Sequence, residues 1–572
     1  MHVHENRPDL DGNRRRTGRS AALAALCPAA FALTVGLAAT EHGAGLSIDS
    51  AYYIGAARQL AAGEGLTIPW GSASPTPLGT QLGPLLPILL AGFERLGADA
   101  LDTVRWMNAG FFAATVGVLA WVSFRATGSA LVAAATAMLA ATSRLMIAVH
   151  AMAWSEPAFL FFGWSTLALI AAFAASNRRP LLIAACAAGV LAILTRYAGA
   201  ALALTAFLAL LLGGGRWRPR LLAAGCAAGI ALLPMTPGGP TWLQFARTQL
   251  TAEAPVFAAD SPAMRQLAHV RRLPEVITGW VWPWPLARWW PGPVGQVAVT
   301  VVVAALVALF LVMARRGPAF QGRLSSHDAT AQKREDGYRA KLCWAMGLFV
   351  IAYPTFLVTA ILLFGRTFTF DDRILLPLMG PGLLLVVLSG YEFFRRDSRN
   401  KRIAVVALVF LCGATATNVP RAVDYGLWFA DSSGFGGQGY HDGKWRSSPT
   451  IAAVRQLPAE TRMYSNGPDA IYVLTGRRAI WLPDAKLGSY DVGGAATDSA
   501  PLSELAEALS DGAVIVYFDR LAWRRYSPSR EDLSRRLSVH YSHEMADGTV
   551  LTAATGPQRL QSIAARHDPA MD

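Results

Sequence analysis

Asp49 stands just beyond the first long apolar run of the chain, in Ser47-Ile48-Asp49-Ser50-Ala51-Tyr52-Tyr53-Ile54-Gly55-Ala56-Ala57-Arg58. The segment gathers a carboxylate, two phenols and a guanidinium where the chain should leave a membrane. Charged side chains at that depth are costly, which makes each a candidate for function. Others share the property: Arg144, His150 and Glu156 around Ser155-Glu156-Pro157, Arg196-Tyr197, and Arg366 with Asp371-Asp372-Arg373. The chain carries no G-x-x-x-x-G-K-[ST] and no strand-linked G-x-G-x-x-G, so ATP and dinucleotide sites lack their signatures. Energy for a reaction must then come with the substrate, and a lipid-linked phosphate donor would carry it.

Each of these residues also has a bland reading. Asp49 could serve as a helix N-cap, and Glu156 before Pro157 suits a helix N-terminus. Arg373 could pair with Asp371 or Asp372 at the surface, a bond worth under ~1 kcal/mol. His540 and His543 read as ordinary strand residues.

The elements that must position these groups follow from composition. Of 572 residues, 53% are hydrophobic and 16% charged, whereas about a quarter are charged in soluble domains. The chain therefore reads as an integral membrane protein. Its formal net charge of +13 comes from basic clusters between apolar runs, not from one continuous face. That pattern fits membrane orientation and argues against a nucleic-acid partner. Cys27, Cys186, Cys226, Cys343 and Cys412 all lie within or beside apolar runs, where cysteine acts as a small hydrophobe.

Runs long enough to approach a ~30 Å hydrocarbon core recur at about 21–40, 104–124, 129–148, 157–176, 180–195, 197–213, 219–236, 292–314, 341–364, 373–394 and 402–419. These predict a mainly α, polytopic bundle of about eleven spans. With that count, the basic clusters at 14–19, 178–179, 216–220, 315–341 and 395–402 all fall on one side. The positive-inside rule makes that side cytoplasmic. Residues 1–20 are then a basic cytoplasmic N-terminus, 21–419 the membrane module, and 420–572 an extracytoplasmic linker and small α/β domain. A cleaved signal peptide is the other reading of the N-terminus; the 41–103 loop is extracytoplasmic either way.

Within that loop, 49–62 predicts a helix with Tyr53, Ala57 and Leu60 on one stripe, ended by Gly63 and Gly65. Residues 84–96 are too short to span and suit an interfacial helix. A second outer segment, 237–291, holds Trp242, Trp280, Trp282, Trp284, Trp289 and Trp290 among arginines. It reads as an aromatic belt contacting membrane lipids, or more sharply as a groove for an anionic headgroup. Beyond Gly434, Ile451–Leu457 and Leu502–Leu509 read as helices, and 461–465, 479–482 and 513–518 as strands.

Taken together, Asp49 to Arg58, Pro75-Thr76-Pro77-Leu78 with Pro84 to Pro87, Ser155-Glu156-Pro157, Leu194 to Tyr197 and Asp372 to Pro377 resemble the GT-C superfamily of membrane glycosyltransferases. The match is closest to the bacterial family 39 type, similar to protein O-mannosyltransferases and the lipid A aminoarabinose transferase. The resemblance implies transfer of a sugar from a polyprenyl-phosphate donor to a lipid, glycan or protein acceptor at the outer face of a bacterial cytoplasmic membrane. It implies Asp49 as the general base for the acceptor hydroxyl. It also implies arginines on the departing phosphate, since a guanidinium forks onto phosphate and stays charged. Arg58, Arg196 and Arg373 are the candidates, in that order, with Tyr52, Tyr53, Glu156, His150 and Asp372 as further substrate-binding residues. The polyprenyl tail would lie along lipid-facing grooves of the bundle.

One position departs from the family pattern. Many members carry adjacent acids at the start of this loop, whereas Ser50 follows Asp49 here. Obligate metal binding is therefore disfavoured, and no cofactor is expected. The rival readings are a transporter or flippase of lipid-linked glycans, and an assembly module on a passive anchor. A transporter favours charges near the midplane and inverted repeats, and no internal repeat is visible.

Overall fold

The computed structural model describes residues 10–78, 82–212, 329–364, 372–396, 401–434, 436–483, 502–524, 527–537 and 541–553. The expected spans at 219–236 and 292–314 and the tryptophan-rich segment 237–291 lie outside them.

Long apolar helices form the larger part of the molecule: α1 (Leu10–Ala38), α4 (Ala100–Thr127), α7 (Glu156–Ser176), α10 (Ala329–Phe364), α12 (Met379–Arg396) and α13 (Lys401–Ala430). Two short helices, α2 (Ile48–Ala61) and α3 (Leu85–Arg95), connect α1 to α4. Between α4 and α10 lie α5 (Ala130–Ala141), α6 (Arg144–Ala151), α8 (Arg179–Thr195) and α9 (Gly199–Leu212). A short α11 (Asp372–Leu375) and a 3-10 turn precede α12. Ends are set by ordinary cap chemistry: Asp99 accepts from the Leu101 and Asp102 amides at the start of α4, and Gly128 ends it at φ 68°.

Among the described residues, five helices are long and apolar enough to cross a membrane, or six if one bent pair counts as a span. The bent pair is α5 and α6, which meet at 59°. A single span was expected at 129–148, but Thr142 turns its hydroxyl back to the Met138 carbonyl at 2.8 Å. Arg144 then leaves the apolar run to lie over the Tyr425 ring at 4.5 Å. Hydroxyl back-bonding of this kind weakens helix continuity. Helices α1, α4, α7, α10 and α12 share a core that includes Phe112, Phe159, Trp164, Phe349 and Tyr353.

The C-terminal part is α/β. Its helices are α14 (Gly443–Arg446), α15 (Pro449–Gln456), α16 (Pro468–Thr475), α17 (Leu502–Ser510) and α18 (Arg530–Arg536). After the small ribbon β1 (Thr67–Ile68) and β2 (Thr76–Pro77) of the earlier loop come β3 (Met463–Ser465), β4 (Ile480–Trp481), β5 (Val514–Phe518), β6 (Tyr541–Met545) and β7 (Gly548–Thr552). The last five form one sheet in the order β4-β3-β5-β7-β6, parallel among β4, β3 and β5 and antiparallel beyond.

Alternation along β5 explains how the sheet is covered on both faces. Val514, Val516 and Phe518 join a core with Tyr53, Ile54 and Trp70, while Ile515 and Tyr517 face Leu505, Leu509 and Leu533. The C-terminal sheet and the loop bearing Asp49 thus share one hydrophobic core. Helix α2 shows the consequence: Ser50, Ala51, Tyr53, Ile54, Gly55, Ala56, Ala57 and Gln59 are all buried, although its sequence offers one clear stripe. The packing of α16 against α2 covers the rest.

Candidate active site

The N-cap of α2 is Ser47 rather than Asp49, and the Ser47 amide donates to Ser50 Oγ at 3.0 Å. Ser50 is fully buried. The position where an acid often follows Asp49 is therefore taken by a capping hydroxyl, and the Asp49 carboxylate is not consumed by the helix end.

Asp49 Oδ2 lies 2.9 Å from Arg373 Nη1. Arg373 Nε lies 3.0 Å from Glu156 Oε1, and Arg196 Nη1 lies 2.6 Å from the same oxygen. Four charges from four chain segments alternate in sign: Asp49 from α2, Arg373 from α11, Glu156 from the first turn of α7, and Arg196 from the end of α8. Their burial is unequal. Glu156 is 4% exposed, whereas Asp49, Arg196 and Arg373 are 22–30% exposed. The buried carboxylate thus faces both guanidiniums.

Neighbouring side chains fix this geometry. The Arg373 guanidinium lies over the Trp154 ring at 4.4 Å, and Trp154 Nε1 donates to Ser47 Oγ at 2.7 Å. Tyr353 donates to the Ile374 carbonyl at 2.8 Å, which pins α11 against α10. Tyr53 and Ser155 are joined through their hydroxyls at 2.8 Å, and Arg196 reaches Ser155 Oγ at 3.5 Å. Burial raises the Tyr53 hydroxyl above its ordinary value. Tyr53, itself 2% exposed, therefore acts as a buried hydrogen-bonding support.

The remaining sequence candidates lie elsewhere. Arg58, ranked first for the phosphate, is not in the cluster and faces Glu94 and Asp99 at 3.6 Å each. Nine residues turn a helix by about 900°, so Asp49 and Arg58 emerge on opposite sides. His150 is buried against Phe112, stacked at 4.4 Å, with Nδ1 2.7 Å from the Met146 carbonyl. Tyr52 packs on Trp70 at 4.5 Å. Asp372 is exposed at the start of α11. Arg366 and Asp371 fall outside the described residues. The supports Trp154 and Tyr353 were not singled out; Trp154 adjoins the Ser155-Glu156-Pro157 motif, whereas Tyr353 lies in an apolar run with nothing to mark it.

Among the described residues, no three His, Cys, Asp or Glu side chains converge as a metal site requires. Asp49 and Glu156 each face Arg373. A small apolar recess of about 30 Å³ lies between α7, α8 and α9, lined by Thr166, Ile170, Ile193, Leu202, Ala206 and Leu210. Its Ile193 is one turn before Arg196.

The fold and this cluster define a multi-pass helical membrane protein whose charges gather at the bundle end carrying the α/β domain. No family model matches the chain, and no curated protein matches it in sequence. Among solved structures it is similar to ArnT from Cupriavidus metallidurans bound to undecaprenyl phosphate, at 14% identity and a TM-score of 0.51, covering 93% of this chain and 98% of that one. It is also similar to the Archaeoglobus fulgidus oligosaccharyltransferase in complex with Zn and sulfate, at 13% identity and a TM-score of 0.48, covering 92% and 73%. The fold implied by the GT-C resemblance is the fold of this chain.

Proposed function

We propose that this protein is a glycosyltransferase that takes a sugar from a polyprenyl-phosphate donor at the outer face of a bacterial cytoplasmic membrane. The observation that carries the reading is Arg373 held between Asp49 and Glu156, with Arg196 on the same Glu156 oxygen. Two partly exposed guanidiniums steadied by one buried carboxylate form a receptor for a phosphate anion.

In this reading the donor phosphate engages Arg196 and Arg373. An acceptor hydroxyl beside Asp49 attacks the sugar C1, Asp49 takes its proton, and the C1–O bond to the phosphate breaks. The polyprenyl phosphate leaves as an anion stabilised by the two arginines, so no general acid is needed. Single displacement inverts the anomeric centre. The reading is metal-independent, with Asp49 as the carboxylate facing the acceptor, and the polyprenyl tail lies along lipid-facing grooves of the bundle. The acceptor is a lipid, glycan or protein hydroxyl.

The test uses the purified protein in lipid vesicles with polyprenyl-phosphate sugars of several kinds and a membrane extract as acceptor. Transfer of radiolabel that is lost in Asp49→Asn, with insertion and yield unchanged, is the expected result. Full transfer by Asp49→Asn would remove the base assignment. Movement of intact donor across the bilayer without sugar transfer would favour the flippase reading.

A further inference from the structure

The chain reaches Asp49 through a short extended segment held on both sides. The Gly45 amide donates to the Ala151 carbonyl at 2.9 Å, and the Ala153 amide donates to the Gly45 carbonyl at 2.8 Å. On the other side, the Leu46 amide donates to the Gln438 carbonyl at 3.1 Å, and the Tyr440 amide donates to the Leu46 carbonyl at 2.9 Å. Leu46 is three residues before Asp49. One strand-like partner leads into Trp154 and Glu156, and the other leads into the α/β domain.

Tyr440 is fixed at its far end as well. Its hydroxyl donates to Asp469 Oδ2 at 2.5 Å and accepts from Arg524 Nη2 at 2.5 Å. Arg524 grips the two Asp469 oxygens at 2.8 and 2.9 Å and donates to the Asn466 carbonyl at 2.9 Å. Asp469 is 0% and Arg524 2% exposed. Burial comes first among the causes that raise the Tyr440 hydroxyl well above its ordinary value, so it stays a donor. Asp469 lies in the first turn of α16, the helix packed on α2.

A buried ion pair of this kind adds little net stability over apolar packing, and its best-attested use is to fix one arrangement. Gly439 sits at φ +60°, and a Cβ there would stand 1.9 Å from the Leu46 carbonyl oxygen. The contact between Tyr440 and Leu46 therefore tolerates no side chain at that position.

We propose that Tyr440, Asp469 and Arg524 are positioning residues that hold the first turn of α2, and with it Asp49, in register with Arg373 and Glu156. The α/β domain is then a clamp on the active-site helix. This rests on the reading of Asp49 as the base. Misplacing a reacting group by about 1 Å can cost on the order of 100-fold in rate.

The experiment compares the full-length protein with Tyr440→Phe and Gly439→Ala in lipid vesicles, by two readouts. Hydrogen exchange of the amides at 47–54 is expected to quicken in both variants. Sugar transfer per folded molecule is expected to fall about 10-fold to 100-fold in kcat with the donor KM little changed. Unchanged exchange in both variants overturns the clamp, and so does quickened exchange with kcat intact while Asp49→Asn is inactive. If exchange quickens and Asp49→Asn transfers at the full rate, the clamp stands and the base assignment falls.

Discussion

Two charged clusters in this molecule use the same chemistry in opposite ways. In the α/β domain, Arg524 and Asp469 meet through both arms of the guanidinium, with the Tyr440 hydroxyl and Asn466 carbonyl completing the set. In the other, Glu156 presents one oxygen to both Arg196 and Arg373, and Asp49 Oδ2 lies 2.9 Å from Arg373 Nη1. The first is sealed at 0–2% exposure, and the second is 22–30% exposed at three of its four members. A closed network has its strength in fixing geometry, whereas an open one leaves its charges within reach of solvent. On the function proposed above, the first is a support and the second a receptor.

The predictions sharpen that contrast from the largest effect downward. Asp49→Asn should lower transfer by roughly 100-fold to 10,000-fold, with thermal unfolding in detergent unchanged. Asp469→Ala should leave the Arg524 charge buried and unpaired, a loss of about 3–5 kcal/mol that a thermal melt would detect; an unshifted midpoint would contradict a sealed network. Arg373→Lys keeps the charge but not the fork, and should raise the donor KM by about 10-fold, from the ~1.5–3 kcal/mol of a charge-assisted hydrogen bond. Arg58→Ala should leave transfer within about twofold and cost under ~1 kcal/mol, since its partners are partly exposed; a large rate loss there would return Arg58 to the site.

The smallest expected effect concerns pH. Burial first, reinforced by the Arg446 charge and partly offset by the Ala44 carbonyl, lowers the His441 pKa. The unfolded chain then binds more protons than the folded one below the ordinary histidine value of about 6.5. Stability should rise with pH through that region and fall on acidification. Melts at pH 5.5 and 7.5 should differ less in His441→Gln than in the parent.

Legibility varied by element, for identifiable reasons. Apolar run length located α1, α4, α7 and α10, because a helix in lipid must satisfy its own backbone. The break between α5 and α6 depends on where Arg144 finds aromatic partners, Tyr425 and Trp428, nearly three hundred residues later in the chain. Ser155-Glu156-Pro157 stood out because an acid before a proline opens a helix, yet nothing local said that Arg196 and Arg373 share its one oxygen. Arg58 is the opposite case: it sits near Asp49 in sequence, but the half-turn between them on the helix carries it to Glu94 and Asp99.

The sequence by itself determined a multi-pass helical protein, the helical start of Asp49's segment, and the residue types able to hold a phosphate. Those follow from hydropathy, cap chemistry and charge, which act over a few residues. Only the tertiary structure decided which arginine meets Asp49 and that the α/β domain closes over α2. These depend on contacts between segments about a hundred to more than three hundred residues apart, and no local pattern encodes which of several equivalent cations arrives.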